Sequence, residues 1–266
     1  MTDTYTHGHH ESVLRSHRWR TAENSAAYLL PHLTPEARVL DVGCGPGNIT
    51  ADLAERVPAG RVTGIEPDDA VLAQARADAE RRGVRNVVFE TGDVYALAYE
   101  DNAFDVVHAH QVLQHLSDPV AALREMRRVC APGGLVAARD ADYAAMTWYP
   151  ESPALTEWLD LYHRVTRGND AEPDAGRHLL AWAHAAGFAE VTPSATAWCH
   201  ATPDDRAYWG GMWADRILES SIADQARDRG LARDEDLARI SAAWREWTAS
   251  PDGWFGIVHG EILCRP

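Results

Sequence analysis

The run Val39-Leu40-Asp41-Val42-Gly43-Cys44-Gly45-Pro46-Gly47 holds the most specific chemistry in the chain. Glycines at 43, 45 and 47 let the backbone turn sharply and bring its N–H groups into contact range of a ligand. The helix expected from Asn48 onward aims its N-terminus at the same place. A dinucleotide loop places glycine at the last position of G-x-G-x-x-G, and this chain has Asn48 there. Asp41, two residues before Gly43, suits a ligand carrying an amino group and a sulfonium, and is awkward beside a pyrophosphate. Further on, Glu66, Asp93, His110, Gln111, His115, Asp140, Asp142 and Tyr143 fall at or just beyond expected strand ends. Ligands of open α/β sheets bind there.

The elements that position these groups follow from apolar periodicity and turn residues. Short β-rich runs are expected at 38–42, 61–66, 86–91, 104–109 and 135–139. Helices are expected at 48–57, 68–82 (closed by Gly83) and 120–129, with Pro132-Gly133-Gly134 as the last turn. Strand and helix alternate over about a hundred residues, the pattern of a parallel doubly wound sheet. Helical spacing over 11–33 precedes it. Helices near 154–167, 176–186, 204–229 and 234–248, and strands at 190–200 and 256–264, follow it. The expected architecture is α/β and Rossmann-like, a mostly parallel seven-stranded sheet with helices on both faces, an N-terminal helix and helical lid insertions. One continuous domain divides into a helical cap at 1–35, a ligand-binding core at 36–140, and the remaining core with its insertions at 141–266.

The glycine run resembles the first motif of the class I S-adenosylmethionine-dependent methyltransferases, and later landmarks agree with it. Glu66 stands 23 residues after Gly43, where that family places an acid that hydrogen-bonds both ribose hydroxyls. A carboxylate has two oxygens to accept both. Gly92-Asp93-Val94 matches the segment whose aspartate accepts from the adenine amine and whose next backbone N–H meets the ring. Phe104 to Gln111 resembles the fourth motif, and Leu123 to Leu135 the helix–turn–strand after it. The resemblance covers roughly residues 39–140. The stretch Leu113, His115, Asp118, Pro119 and the segment 17–29 are similar, more loosely, to the ubiquinone and menaquinone biosynthesis type. The resemblance implies S-adenosylmethionine as cofactor, S-adenosylhomocysteine as product, and a small-molecule acceptor. It implies cofactor contacts from Asp41, Gly43, Gly45, Asn48, Glu66, Asp93, Val94, His110 and Gln111. Of Arg15, Arg18 and Arg20, Arg20 is chosen to pair with the cofactor's carboxylate; surface solvation is the alternative reading.

Methyl transfer from a sulfonium needs an oriented acceptor, exclusion of water, and a base if the acceptor is protonated. His115, with an ordinary pKa near 6.5, and Asp140 and Tyr143 after the fifth strand are the candidates for proton transfer. Nine of the ten tryptophans fall from position 148 onward. Core packing is the ordinary use of such rings, but their concentration in the insertions suggests an aromatic wall built from Trp148, Tyr149, Trp209, Trp213 and Trp254. Tyr5, His7, His9 and His10 are candidates for a lid over the cofactor, with Tyr5 and His10 expected to reach the substrate. The nearby His7, His9 and His10 lack an acidic or cysteine partner at ligand spacing, so no metal is expected.

A net charge of −15 argues against nucleic acid, which is gripped by basic surfaces. Four widely spaced cysteines read as reduced thiols. Neither a signal peptide nor a membrane span is recognisable, so a cytoplasmic enzyme without a membrane partner is expected, with a homodimer possible. The aromatic insertions point to a hydrophobic or aromatic secondary metabolite as acceptor. Three rivals stand beside this reading. One is an RNA or protein methyltransferase, which would need a basic groove. Another binds the cofactor but catalyses a cyclisation or rearrangement, and the third is a nicotinamide oxidoreductase.

Overall fold

A computed structural model describes residues 19–266. Strands β1 (Arg38–Val42), β2 (Arg61–Glu66), β3 (Val87–Thr91), β4 (Phe104–His110) and β5 (Cys130–Ala141) pair in parallel, in the order β3-β2-β1-β4-β5. Two more strands complete the far side. β8 (Trp254–Arg265) runs antiparallel to β5, and β7 (Glu190–His200) runs antiparallel to β8 on its other edge. The reversal of strand order between β1 and β4 opens the crevice in which ligands of such sheets bind.

The alternation of side chains along β1 shows why both faces are covered. Val39 packs with Ala22, Leu29 and Leu53 on one face, while Leu40 and Val42 pack with Leu123, Met126 and Leu179 on the other. Helices α2 (Asn48–Arg56) and α3 (Asp69–Arg82) connect the first strands; α4 (Pro119–Val129) and α6 (Ala175–Ala185) cover the opposite face of the centre. Asp68 caps α3 by accepting from the Ala70 N–H, and Gly83, at φ +73, ends it. α5 (Pro153–Arg167), α7 (Pro203–Glu219), α8 (Ser221–Asp228) and α9 (Asp234–Ala249) form a separate layer around Trp158, Trp213, Trp244 and Phe255.

Several expectations are corrected. The described part of the segment expected as a helix over 11–33 holds only the four-residue α1 (Ala22–Ser25) and a 3₁₀ turn at Leu30–His32. Ala26 leaves helical geometry and Pro31 lacks a donor, although Ala22, Ala26 and Leu29 are buried as the periodicity implies. The helix expected over 204–229 is two helices, because Ser220 is extended (φ −99, ψ 170) and turns the chain. β5 begins at Cys130, and Pro132-Gly133-Gly134 is an irregularity within it rather than a turn before it. An eighth strand, β6 (Thr147–Tyr149), pairs with Trp254–Gly256 on the edge of β8 that β5 occupies further along. Among the described residues, no helix is long and apolar enough to cross a membrane.

Candidate active site

Past the ends of β1, β2 and β4 the structure encloses a cavity of about 440 Å³. The glycine loop forms its floor. Gly43 (φ +64) and Gly47 (φ +80) occupy left-handed geometry, and a Cβ at 43 would lie 2.5 Å from the Val112 Cγ2. Only glycine fits there. Gly47 is the N-cap of α2, so the helix begins directly behind the loop, with Asn48 and Ile49 on the cavity wall.

Asp41 lies at the root of the loop with both oxygens engaged. The Thr50 hydroxyl donates to Oδ2 at 2.6 Å, and His108 Nδ1 lies 2.7 Å from Oδ1. All three side chains are buried. Glu66, at the tip of β2, accepts the Gly45 N–H at 3.2 Å; burial raises its pKa, and hydrogen bonds from the Gly45 and Asp68 backbones oppose that rise. Asp93 accepts the Tyr95 N–H at 2.9 Å in a tight turn, which sets Val94 and Tyr95 on the wall.

Beyond β4 a directed relay appears. Gln111, at φ +54, is held by its N–H on the Arg139 carbonyl at 2.7 Å. Its Oε1 accepts from Arg20, and its Nε2 lies 2.9 Å from His259 Nε2. His259 Nδ1 lies 3.2 Å from the Ile257 carbonyl, so the proton belongs on Nδ1 and Nε2 is the acceptor for Gln111. Burial first, and then the Arg139 and Arg20 charges, push His110 and His259 well below the ordinary histidine value. Both rings are neutral at physiological pH. Arg139 is itself buried against Glu261 at 3.1 Å and lies 4.8 Å from the Trp198 ring centroid.

The wall brings together Arg20, Asp41, Gly43, Gly45, Asn48, Glu66, Asp93, Val94, His110, Gln111, His115, Tyr143 and Trp209. Tyr5 and His10 lie outside the described residues. Asp140 is not on the wall. It is fully buried, and its Oδ1 accepts the Gln114 N–H at 3.1 Å, so it holds the 113–115 turn; burial pushes it up to about 7. His115 reaches the wall, but burial pushes it down to about 3, which leaves a neutral and weakly basic ring. Tyr143 stacks on Tyr162 at 4.0 Å, and burial raises its pKa.

The expected aromatic wall is only partly right. Trp213 is buried in the Trp158–Trp244 core, Trp148 stacks on Phe255, and Tyr149 and Trp254 are exposed at the β6–β8 pairing. Their places are taken by Trp19, Trp198, Tyr208, Met146 and Ile257, with Arg216 on the same wall. Two signals could have found some of these. Trp198 shares a face of β7 with His200, and Arg216 lies seven residues after Trp209 on one helix face.

The chain matches the sequence profile of the Methyltransferase domain family over residues 33–215. It is 34% identical over 272 aligned residues to an uncharacterised methyltransferase of Schizosaccharomyces pombe, covering 98% of this chain and 96% of that one. It is 30% identical to a protein of Aspergillus luteorubrus named as the methyltransferase ltbC, covering 99% and 98%. The fold matches the crystal structure of the YcgJ protein from Bacillus subtilis at a TM-score of 0.60 and 21% identity, covering 91% of this chain and 98% of that one.

Proposed function

We propose, from the premise that the chain belongs to the class I S-adenosylmethionine-dependent methyltransferases, that it methylates a small apolar or aromatic acceptor, such as a secondary metabolite. The observation that carries this is the division of one cavity into two chemically distinct halves. Loop amides, Glu66 and Asp93, beyond the ends of β1, β2 and β3, line one; Tyr143, Met146, Trp198, Tyr208, Trp209 and Ile257 line the other; Arg20, bonded to Gln111 and 6.0 Å from the Trp198 ring centroid, lies where they meet.

The first half fits the cofactor group by group. Glu66 keeps acceptor capacity beside its bond to Gly45 and would receive the ribose hydroxyls. Asp93 and Val94 would meet adenine. The Gly43 and Gly45 backbone, Asn48, His110 and Gln111 would border the methionine portion. Arg20, held by Gln111, would pair with its carboxylate. Asp41, enclosed by Thr50 and His108, would act mainly by fixing the loop. Bound there, the cofactor supplies a methyl group already activated by its sulfonium.

The chain's own contribution is orientation and exclusion of water. The rings of the second half would hold an apolar body against the sulfonium, whose charge their faces tolerate. Asp140, buried beneath the wall, and His115, weakly basic, give little support to proton abstraction, so positioning carries the catalysis in this reading.

Calorimetric titration of wild type and Glu66→Ala with S-adenosylhomocysteine, with NAD as control, tests it. Micromolar S-adenosylhomocysteine binding is expected for the wild type, at least about tenfold weaker binding for Glu66→Ala, where about 1.4 kcal/mol is tenfold, and no NAD binding. Wild-type protein that does not bind S-adenosylhomocysteine would refute the assignment. A product heavier by one methyl group separates transfer from a rearrangement that merely uses the cofactor.

A further inference from the structure

The acceptor half of the cavity is cationic as well as aromatic. Arg216 of α7 lies on its wall, 4% exposed, with its guanidinium carbon 4.8 Å from the Trp213 ring centroid. Its charge reaches Tyr143, favouring that phenol's ionisation against the larger effect of burial. The acids lining the cavity among the described residues are Asp41, Glu66 and Asp93, all at or just past the ends of β1, β2 and β3, in the cofactor half. Among the described residues the wall of the other half thus carries the Arg216 cation and no carboxylate, and the low-dielectric walls of a cleft extend the reach of such a charge. Trp198, Tyr208 and Trp209 supply flat apolar faces beside that charge.

The titratable groups of this side point the same way. A protonated nucleophile needs a base. The described wall offers His115, pushed down to about 3, His110, pushed further below its ordinary value by burial, and Tyr143, raised by burial. None takes a proton readily at neutral pH.

Resting on the transfer reading above, we propose that the acceptor is an organic acid with a flat apolar body, its carboxylate held at Arg216 and its body against Trp198, Tyr208 and Trp209. A guanidinium matches a carboxylate in both charge and planar geometry. Such an acceptor is already ionised at neutral pH. One carboxylate oxygen attacks the methyl carbon, the C–O bond forms as the S–C bond breaks, and that bond's electron pair stays on sulfur. The negative and positive charges disappear together, leaving a neutral ester and a neutral thioether, with no proton to remove.

The test uses the full chain saturated with S-adenosylhomocysteine, titrated with trans-cinnamate and indole-3-acetate and with the primary amide of each. The acids are expected to bind at least about tenfold more tightly than the amides, the scale of one charge-assisted contact. That preference should collapse in Arg216→Ala and survive in Arg216→Lys, with S-adenosylhomocysteine affinity within about twofold of wild type in both, as expected for a group that holds the acceptor and not the cofactor. Arg216→Gln replaces the alanine variant if the latter no longer binds S-adenosylhomocysteine. With methyl-labelled cofactor, mild alkali should release the transferred label as methanol. Acids that bind no better than amides or not at all, a preference that persists in Arg216→Ala, or alkali-stable label would overturn the proposal while leaving methyl transfer standing. Loss of S-adenosylhomocysteine binding in the wild type would bring down the transfer reading instead.

Discussion

Replacing Thr50 by valine removes one oxygen from the molecule and almost no volume. The Thr50 side chain is fully buried, and its hydroxyl donates at 2.6 Å to the equally buried Asp41 carboxylate. Hydrogen bonds to charged groups contribute about 1.5–3 kcal/mol. The valine methyl recovers up to about 0.8 kcal/mol through added apolar burial, so a net loss of about 1–2 kcal/mol is expected. At about 2–4 °C per kcal/mol for a domain of this size, the midpoint should fall by roughly 2–8 °C. The sharper outcome concerns binding. Asp41 ends β1 where the glycine loop begins, so at a temperature where the variant is fully folded, S-adenosylhomocysteine affinity should also fall by about threefold to tenfold. His108 is the other anchor of Asp41, at 2.7 Å. The double variant Thr50→Val with His108→Phe should therefore lose more than the sum of the single changes, because both oxygens of a buried carboxylate then lack donors. A midpoint within 1 °C of wild type, with additive losses in the cycle, would show that Asp41 is held by something other than these two side chains.

Two further outcomes follow from buried groups. Asp140 is held near 7 by burial, so the folded state retains a proton that the unfolded chain releases near the ordinary carboxylate value. Its linked contribution is therefore fully present below about pH 4 and is lost as pH rises towards 7, in total about 4 kcal/mol. Asp140→Asn cannot titrate, and urea unfolding at pH 5 and pH 8 should show its stability relative to wild type improving by about 2.5 kcal/mol across that interval; a constant difference would contradict the assignment. His259→Phe removes the acceptor for Gln111 Nε2. Stranding that amide costs about 1–3 kcal/mol and frees the residue that holds Arg20. S-adenosylhomocysteine affinity should drop about tenfold, whereas His259→Gln, which keeps an acceptor, should recover part of it; unchanged affinity in the phenylalanine variant would remove the relay from cofactor binding.

The part of the cavity assigned to the cofactor was legible because it is local. Asp41, Gly43, Gly45 and Asn48 belong to one strand–loop–helix unit, and Glu66 ends, and Asp93 follows, a strand whose parallel pairing to its neighbour puts its end beside that loop. Apolar runs and turn residues specify such units, and parallel pairing leaves little freedom in where their ends meet. Arg20 also reaches the wall, although the helix expected around it is interrupted, because its contact with Gln111 does not depend on helical continuity.

The part of the cavity assigned to the acceptor was not legible, for the opposite reason. Trp209, Trp213 and Arg216 all lie on α7, and periodicity places them near one another. It cannot say which side of that helix meets the cavity. Packing decides: Trp213 turns into Trp158 and Trp244, while Trp209 and Arg216 remain on the wall. His259 and Trp198 enter through antiparallel pairing of strands about sixty residues apart, and Asp140 is withdrawn beneath the 113–115 turn, whose backbone N–H groups it accepts. The sequence alone therefore determined the parallel core, the glycine loop and the acids at the strand ends, since each follows from short-range periodicity and turn chemistry. The shape and charge of the acceptor side, and the protonation of the groups around it, came only from the tertiary structure. They depend on which distant side chains exclude water from one another.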